Sequence, residues 1–182
     1  TELYARRNAL TGMDVSHNTN LKDFECGDNL LTALDVSGLT ALERLACQGN
    51  QISSLDLSDN TALRILVALD NEFSSLDLSG LSELEILYCG NNPLSGLDLS
   101  KNTQLAYLYC QNSGLTALDL SNNPNLEVLD CERGNPTGTL DLSHQTSDTF
   151  IYFGNDLAEN ATFSADGKSV LQIGCPKGDE DF

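Results

Sequence analysis

The sequence predicts one solenoid of about eight stacked coils, mainly β, in which every coil adds a short strand to a parallel sheet. The first observation is a fixed period: leucine recurs every 21 residues, at Leu21, Leu42, Leu63, Leu84, Leu105 and Leu126. A period of roughly 20 to 50 residues is typical of stacked repeats. The second observation is that apolar and polar residues alternate after each leucine, which indicates a strand with one face turned inward.

Two ladders of equivalent residues define the inner wall of the predicted coil. We count the leading leucine as repeat position 0. Position 3 is apolar in every repeat, and position 5 holds Cys26, Cys47, Ala68, Cys89, Cys110 and Cys131. Position 8 holds Asn29, Asn50, Asn71 and Asn92, followed by Ser113 and Gly134. We expect positions 3 and 5 to fill the core, and the position 8 amides to satisfy backbone groups where the chain leaves the sheet.

The second half of each repeat has the pattern Leu-Asp-Leu-Ser and should form the opposite wall. Its aspartates make an outward row, at Asp14, Asp35, Asp56, Asp77, Asp98, Asp119 and Asp141. Because stacked carboxylates repel one another, we expect each to accept hydrogen bonds from the local backbone and from the serine two positions later. A row of calcium sites is the alternative, since hard oxygen ligands suit that ion, although these carboxylates all point one way.

The repeat register sets the domain boundaries. Equivalent positions run from Leu3 in the first repeat to a last strand that starts at Phe150. We therefore assign residues 1–157 to the solenoid and residues 158–182 to a C-terminal cap of the same domain. A cap covers the apolar end of the last coil, and we expect the run from Ser169 to Ile173 to form a hairpin there. The first repeat lacks its leading leucine, so we expect further sequence before Thr1.

Composition and motifs exclude several functions. The 27 acidic and 9 basic residues give a net charge of -18, which makes nucleic acid and anionic membrane surfaces poor partners. No run approaches the roughly 20 apolar residues of a membrane span, so we expect no membrane insertion. We find no nucleophile, zinc-protease or phosphate-binding motif, and His17 and His144 lie six repeats apart, roughly 29 Å along the stack. The sequence predicts a non-enzymatic protein without a cofactor or metal.

The motif Leu-x-x-Leu-x-Cys-x-x-Asn-x-Leu-x-x-Leu-Asp-Leu-Ser, from Leu84 to Ser100, resembles the leucine-rich repeats of bacterial internalins. The 21-residue period with cysteine at position 5 resembles the subgroup with a cysteine ladder, and the resemblance covers residues 3 to about 155. It implies a leucine-rich-repeat solenoid of the α/β horseshoe class: a right-handed coil with a concave parallel sheet, a short irregular or β convex wall and a small C-terminal β cap. It also implies a secreted or cell-surface bacterial protein, with its signal sequence outside this chain, that binds another macromolecule through the concave sheet.

The position 5 cysteines are expected to be free. Side chains in register on parallel strands lie about 4.8 Å apart, beyond the Cβ separation of about 3.5–4.5 Å that a disulfide needs. Ala68 also interrupts the ladder. We predict five buried thiols that act as small apolar side chains; the alternative, a zinc site, would need ligands that converge on a tetrahedron. Cys175 lies outside the ladder.

The candidate binding residues lie on the concave face, which we define as the outward positions 2, 4 and 6. All five tyrosines of the chain occupy these positions, at Tyr4, Tyr88, Tyr107, Tyr109 and Tyr152. We predict an exposed apolar and aromatic surface, the concave stripe, formed by Ile65, Val67, Leu69, Ile86, Tyr88, Tyr107, Tyr109, Gln111, Val128, Asp130 and Tyr152. Its expected rim consists of Asp70, Asp130, Glu132, Asp156 and Arg133.

Tyrosine and aliphatic anchors over such a length are typical of a protein interface, so another protein is the leading candidate partner. A glycan is the alternative partner, with Tyr107 and Tyr109 stacking on sugar rings while Asp70 and Gln111 bind hydroxyls. The exposed aliphatic residues count against that alternative. Two simpler explanations stay open: tyrosine, isoleucine and valine favour strands in any case, and the solenoid could be a spacer within a larger protein.

Overall fold

The computed structural model describes residues 1–132, 140–146, 149–152, 161–162 and 170–173. Seven strands of three residues follow the 21-residue spacing: β1 Glu2–Tyr4, β2 Asp23–Glu25, β3 Arg44–Ala46, β4 Ile65–Val67, β5 Ile86–Tyr88, β6 Tyr107–Tyr109 and β7 Val128–Asp130. They are followed by β8 Leu140–Asp141, β9 Thr149–Tyr152, β10 Ala161–Thr162 and β11 Val170–Ile173. Within these ranges, no helix is long and apolar enough to cross a membrane.

One parallel sheet runs along the whole molecule. Its strand order is β1-β2-β3-β4-β5-β6-β7-β9-β11, and each residue of β1 to β6 pairs with the residue 21 positions later, as Ile86 does with Tyr107. Between β7 and β9 the step is one residue longer, since Val128 pairs with Phe150. The eight predicted strands are therefore present, joined by about seven turns of the coil. The predicted leucine-rich-repeat solenoid is confirmed.

The C-terminal hairpin prediction is wrong. Strand β11 pairs in parallel with β9, and β10 pairs in parallel with β8. Strands β10 and β11 thus add one strand to each wall, where a hairpin would have turned back antiparallel. An outer strand presents unpaired backbone groups on its free side, and β11 satisfies these groups of β9 in the same parallel direction as the earlier strands. The remainder of the predicted cap, including Cys175, lies outside the described residues.

Apolar side chains from every turn fill a continuous core between the two walls. The leucines at position 0 and the residues at positions 3 and 5 are buried from the second repeat onward. Position 10 adds a further buried row on the far side of the turn, formed by Leu31, Ile52, Phe73, Leu94 and Leu115. The period of the sequence is therefore also the period of the core.

The position 8 asparagines satisfy backbone groups as predicted, and they also link neighbouring coils. Asn71 is typical: its Nδ2 donates to the carbonyls of Cys47 at 3.0 Å and Leu69 at 3.0 Å, and its Oδ1 accepts from the backbone N–H of Ile52 at 3.1 Å. Because Cys47 and Ile52 belong to the preceding repeat, one amide closes its own turn and holds the coil before it. Asn29, Asn50 and Asn92 make equivalent bonds.

A second asparagine ladder, which we did not predict, lies at repeat position 18. Asn60, Asn102 and Asn123 are fully buried. The Nδ2 of Asn60 donates to the carbonyls of Val36 and Leu39, both at 3.1 Å, and the other two repeat this pattern. Leucine occupies the same position at Leu39 and Leu81. Because asparagine does not recur in every repeat at this position, the sequence indicated the second ladder only weakly. The burial and hydrogen bonds of these amides show their role.

The aspartate row on the convex wall has the predicted hydrogen bonds. In every turn the Oδ1 of the aspartate accepts from the backbone N–H of the serine two residues later, as Asp77 does from Ser79 at 3.0 Å. The Ser79 hydroxyl adds a bond of 2.7 Å to the same oxygen. Hydrogen bonds from these serines lower the pKa of all seven carboxyls below its ordinary value. Local bonding thus offsets the mutual repulsion of the row.

The five ladder cysteines are buried thiols that form no disulfide, as predicted. Burial raises the pKa of Cys26, Cys89 and Cys131 to about 12, and raises the pKa of Cys47 and Cys110 as well. These thiols therefore stay protonated and apolar at neutral pH. No group of three or more histidine, cysteine, aspartate or glutamate side chains in the described ranges is arranged to hold a metal.

Candidate partner-binding surface

The fold brings the predicted stripe residues together in rows that cross the strands. The position 2 row contains Ile65, Ile86, Tyr107 and Val128, in register from β4 to β7. The position 4 row contains Val67, Tyr88, Tyr109 and Asp130, and Tyr152 pairs with Asp130 on β9. Leu69 and Gln111 follow at position 6, just beyond β4 and β6. The stripe is thus one continuous area of the sheet.

The expectation that the stripe is exposed needs correction. Its described side chains, from Ile65 to Asp130, are half-buried. The large apolar side chains with the greatest exposure in the described part of the chain are Tyr4, Leu30 and Phe150, and none of them belongs to the stripe. Neighbours on strands about 4.8 Å apart cover each other's flanks. A partner would therefore meet a packed surface made of side-chain ends.

Tyr88 and Tyr109 form a stacked pair at the centre of the stripe. Their ring centroids lie 4.2 Å apart and the ring planes differ by 4°. This geometry follows from the register, because the two residues are direct partners on β5 and β6. Each ring covers one face of the other, so the pair presents ring edges and phenol ends to a partner more than open aromatic faces.

Tyr107 is held in place by a carboxylate that the sequence analysis missed. Its hydroxyl donates to Oε2 of Glu127 at 2.5 Å, and this bond raises the pKa of Tyr107. Glu127 stands at position 1 of the next repeat, 20 residues after Tyr107. The 21-residue register could have indicated this contact, because a residue one coil later and one position earlier lies diagonally across the sheet.

Gln111 is folded back over the sheet. A Cβ atom placed on Gly90 would lie 2.6 Å from the Cδ of Gln111 and 2.7 Å from its backbone oxygen, so the glutamine occupies the space above that glycine. The Gln111 Oε1 is buried and has no hydrogen-bond partner among the described residues. Gln48 and Gly27 repeat the arrangement three coils earlier. The absence of a side chain at Gly90 thus shapes the floor of the stripe.

Asp130 ends the described stripe with a negative charge. The side chain is half-buried, and its Oδ1 accepts from the backbone N–H of Glu132 at 3.1 Å. Burial raises the pKa of Asp130, and the nearby Glu132 carboxylate acts in the same direction. The described part of the chain places no cation in an ion pair with Asp130. The predicted rim residues Arg133 and Asp156 lie outside the described ranges.

The N-terminal end of the same face has charges that pair with each other. The Nη1 atom of Arg44 lies 2.8 Å from Asp23 Oδ1 and 2.5 Å from Glu25 Oε1. Tyr4 donates its hydroxyl to Glu2 at 3.0 Å, which raises the pKa of Tyr4 to about 12. The sheet therefore has a polar, internally paired end on β1 to β3 and the apolar stripe on β4 to β7.

Comparison with known proteins places this architecture in a class. No protein-family model and no curated protein sequence matches the chain. Solved structures of leucine-rich-repeat proteins match it over most of its length, and internalins are among them. The chain is accordingly a leucine-rich-repeat solenoid similar to the internalins.

Within that class, the chain is similar to the functional domain of InlJ from Listeria monocytogenes, which includes a cysteine ladder. The two are 30% identical with a TM-score of 0.68, over 90% of this chain and 40% of that one. A leucine-rich-repeat protein of Leptospira interrogans is 21% identical with a TM-score of 0.75, over 94% and 47%. Internalin C2 of Listeria monocytogenes is 18% identical with a TM-score of 0.70, over 94% and 68%. The chain thus spans less than half the length of the first two structures.

Proposed function

We propose that this chain is a non-enzymatic recognition module that binds another protein through the concave stripe, in an adhesin-like role at a bacterial cell surface or in a secreted protein. The observation that carries the proposal is the stripe itself: two rows of aliphatic and tyrosine side chains held in register on the parallel strands β4 to β7, one of which ends in Asp130. Tyrosine is enriched among the residues that dominate protein interfaces. Because the rows are fixed by the sheet, little side-chain entropy is lost when a partner binds.

The geometry favours a protein partner over a glycan. Stacking on a sugar ring needs an open aromatic face, whereas Tyr88 and Tyr109 cover each other. The Tyr107 hydroxyl is bonded to Glu127, and the Gln111 Oε1 is buried. One face of Tyr109 is therefore covered and the Gln111 oxygen is buried, while the aliphatic rows remain available for apolar contacts.

RNA is another class of partner to consider, because a protein of similar fold is known in a complex with RNA. A structure of TLR13 in a complex with ssRNA13 is 20% identical to this chain, with a TM-score of 0.60, over 95% of this chain and 29% of that one. That likeness shows the fold alone. The net charge of -18 argues against RNA here, since binding to a phosphate backbone depends on lysine and arginine.

Parallel screens on an array of extracellular proteins and on a glycan array would test the proposal. We expect protein ligands whose affinity falls at least about tenfold in the Tyr88→Ala/Tyr109→Ala variant. Tyr4→Ala is the matched control, because Tyr4 has the same repeat position on the same face but lies outside the stripe. Melting curves would establish that each variant is folded.

The possible outcomes separate the candidate functions. A double variant that keeps full protein binding refutes the stripe as the site. Ligands found only among glycans would replace protein recognition with carbohydrate recognition. A chain that binds nothing in either screen would support the spacer alternative.

A further inference from the structure

Carboxylates border the concave stripe on several sides. Asp70 follows β4 at repeat position 7, Glu127 precedes β7 at position 1, and Asp130 ends the position 4 row. Asp70 and Glu127 are exposed and Asp130 is half-buried. Their placement encloses the apolar rows in negative charge, in a chain whose net charge is -18.

The described cations do not neutralise these carboxylates. Arg6, Arg7, Lys22 and Arg44 form ion pairs on the first three coils. Arg64 lies beside the stripe, but its Nη2 donates to both carboxylate oxygens of Glu85, each at 2.8 Å. The remaining described cation, Lys101, follows Ser100 on the convex wall. Within the described ranges, no cation therefore forms an ion pair with Asp70, Glu127 or Asp130.

The two ends of the concave face differ in this respect. On β2 and β3, Asp23 and Glu25 share the guanidinium of Arg44. At the equivalent repeat positions on β4 to β6, the side chains are apolar or tyrosine, and Asp130 on β7 has no described cation in its place. The carboxylates on β2 thus have a counter-charge within the sheet. Asp130 on β7 has none among the described residues.

Asp130 and Tyr109 are direct partners across β6 and β7. A cation placed beside Asp130 would meet a half-buried carboxylate next to a tyrosine, which is the setting of a charge-assisted hydrogen bond. Burial already raises the pKa of Asp130, so its charge has the most to gain from a positive partner.

We infer that the concave stripe receives a basic protein segment, in which arginine or lysine side chains alternate with aromatic or aliphatic ones. The apolar residues pack on the rows from Ile65 to Val128, while the cations reach Asp130 and Asp70. Arginine fits the Asp130 position better than lysine, because its planar guanidinium binds a carboxylate in two places. This inference rests on the proposed function, since it names the chemistry of the partner for the same face.

Selection from a random peptide display library on the immobilised chain tests the inference. The selection is run at about 0.15 M salt, where screening limits weak long-range attraction. We expect the enriched peptides to be positively charged, with arginine or lysine next to aromatic or aliphatic residues. Synthetic copies of the enriched peptides are then measured by fluorescence anisotropy.

Two double variants with the same change in net charge show whether the peptides bind the carboxylates at the stripe or respond to the charge of the whole chain. Asp70→Asn/Asp130→Asn should weaken peptide binding about tenfold, because it removes the two rim charges. Asparagine suits both sites: Asn91 and Asn112 occupy the position equivalent to Asp70 with the same positive φ, and an asparagine oxygen can still accept the Glu132 N–H at residue 130. Asp77→Asn/Asp98→Asn removes two charges from the convex wall and should change binding less than about twofold.

Each outcome bears on the inference separately from the proposed function. An equal loss in both double variants would mean that the whole acidic chain attracts the peptides, and would overturn the inference. Neutral or acidic peptides that need Tyr88 and Tyr109 would overturn it too, but would leave the proposed function standing. Peptides that bind the Tyr88→Ala/Tyr109→Ala variant fully would instead count against the stripe as the site. A library that yields no binder overturns the inference, and the protein array then decides the proposed function by itself.

Discussion

Replacing Asn92 with alanine should be among the most costly single changes in this solenoid. Its side chain is buried, and its Nδ2 donates to the carbonyls of Ala68, Cys89 and Gly90 at 2.9, 3.1 and 3.0 Å. Its Oδ1 accepts from the backbone N–H of Phe73 at 3.1 Å. The alanine variant would lose all four bonds at the junction of two coils.

The expected cost follows from the groups left behind. The Phe73 N–H and at least one carbonyl would stay buried without a partner, and each such group costs about 1–3 kcal/mol. We therefore expect Asn92→Ala to lower the free energy of unfolding by about 3–5 kcal/mol, against a total of about 5–15 kcal/mol for a typical domain. Asn92→Ser should cost less, because Ser113 occupies the equivalent position and donates its hydroxyl to the Cys110 carbonyl.

Urea unfolding followed by circular dichroism measures this loss, and hydrogen exchange of the Phe73 amide reports the same site directly. Asn122→Ala is the matched control, since that side chain is exposed and donates only a 3.2 Å bond to the Ser121 hydroxyl. The control should change stability by no more than about 0.5 kcal/mol. If Asn92→Ala costs under about 1 kcal/mol, the asparagine ladder does not hold the coils together as argued.

Further predictions concern the thiols, the aspartate row and the stripe floor. The five ladder cysteines should react with alkylating reagents at neutral pH only after denaturation, because burial raises the pKa of every one of them; rapid labelling of folded protein, located by peptide mapping, would contradict this. The folded-state pKa of each convex aspartate is lowered, so the stability these groups add is present above the unfolded carboxyl pKa and disappears as the pH falls through the folded value. The urea midpoint should accordingly drop below about pH 4, and a midpoint that stays constant to about pH 3 would be inconsistent with the row's hydrogen bonds. Calcium in place of a chelator should leave the melting temperature unchanged, whereas a rise would support the calcium alternative. Gly90→Ala should destabilise more than Gly27→Ala, because a Cβ at residue 90 meets the Gln111 backbone oxygen at 2.7 Å while one at residue 27 meets only the Gln48 side chain; equal melting temperatures would refute that reasoning.

Predictions from the sequence succeeded where the contact was between equivalent residues of neighbouring repeats. Strand positions, the buried thiols and the position 8 amides all followed from the 21-residue spacing, since stacking places equivalent residues side by side. The same rule placed the candidate stripe residues on one face. It failed for the C-terminal strands, where the spacing changes and local pattern suggested a hairpin in place of two further parallel strands.

Other features depended on contacts that a periodic pattern does not contain. The exposure of the stripe was overestimated, because alternation shows which way a side chain points but not how far its neighbours cover it. The Tyr107–Glu127 bond and the Gln111 side chain over Gly90 depend on side-chain conformation across two coils. The burial of Asn60, Asn102 and Asn123 depends on how the convex wall packs.

The sequence by itself determined the architecture of this protein: a leucine-rich-repeat solenoid with an inner thiol row, an outer aspartate row and tyrosines on the concave face. A strict period favours the stacking that buries the position 0 leucines of successive coils together, so these features follow from spacing. Only the tertiary structure decided which surface groups are already satisfied. Arg44 pairs with Asp23 and Glu25 on β2, whereas no cation of the described residues forms an ion pair with the half-buried Asp130. That difference depends on distances between side chains of successive turns, and it is the basis for expecting a basic partner at the stripe.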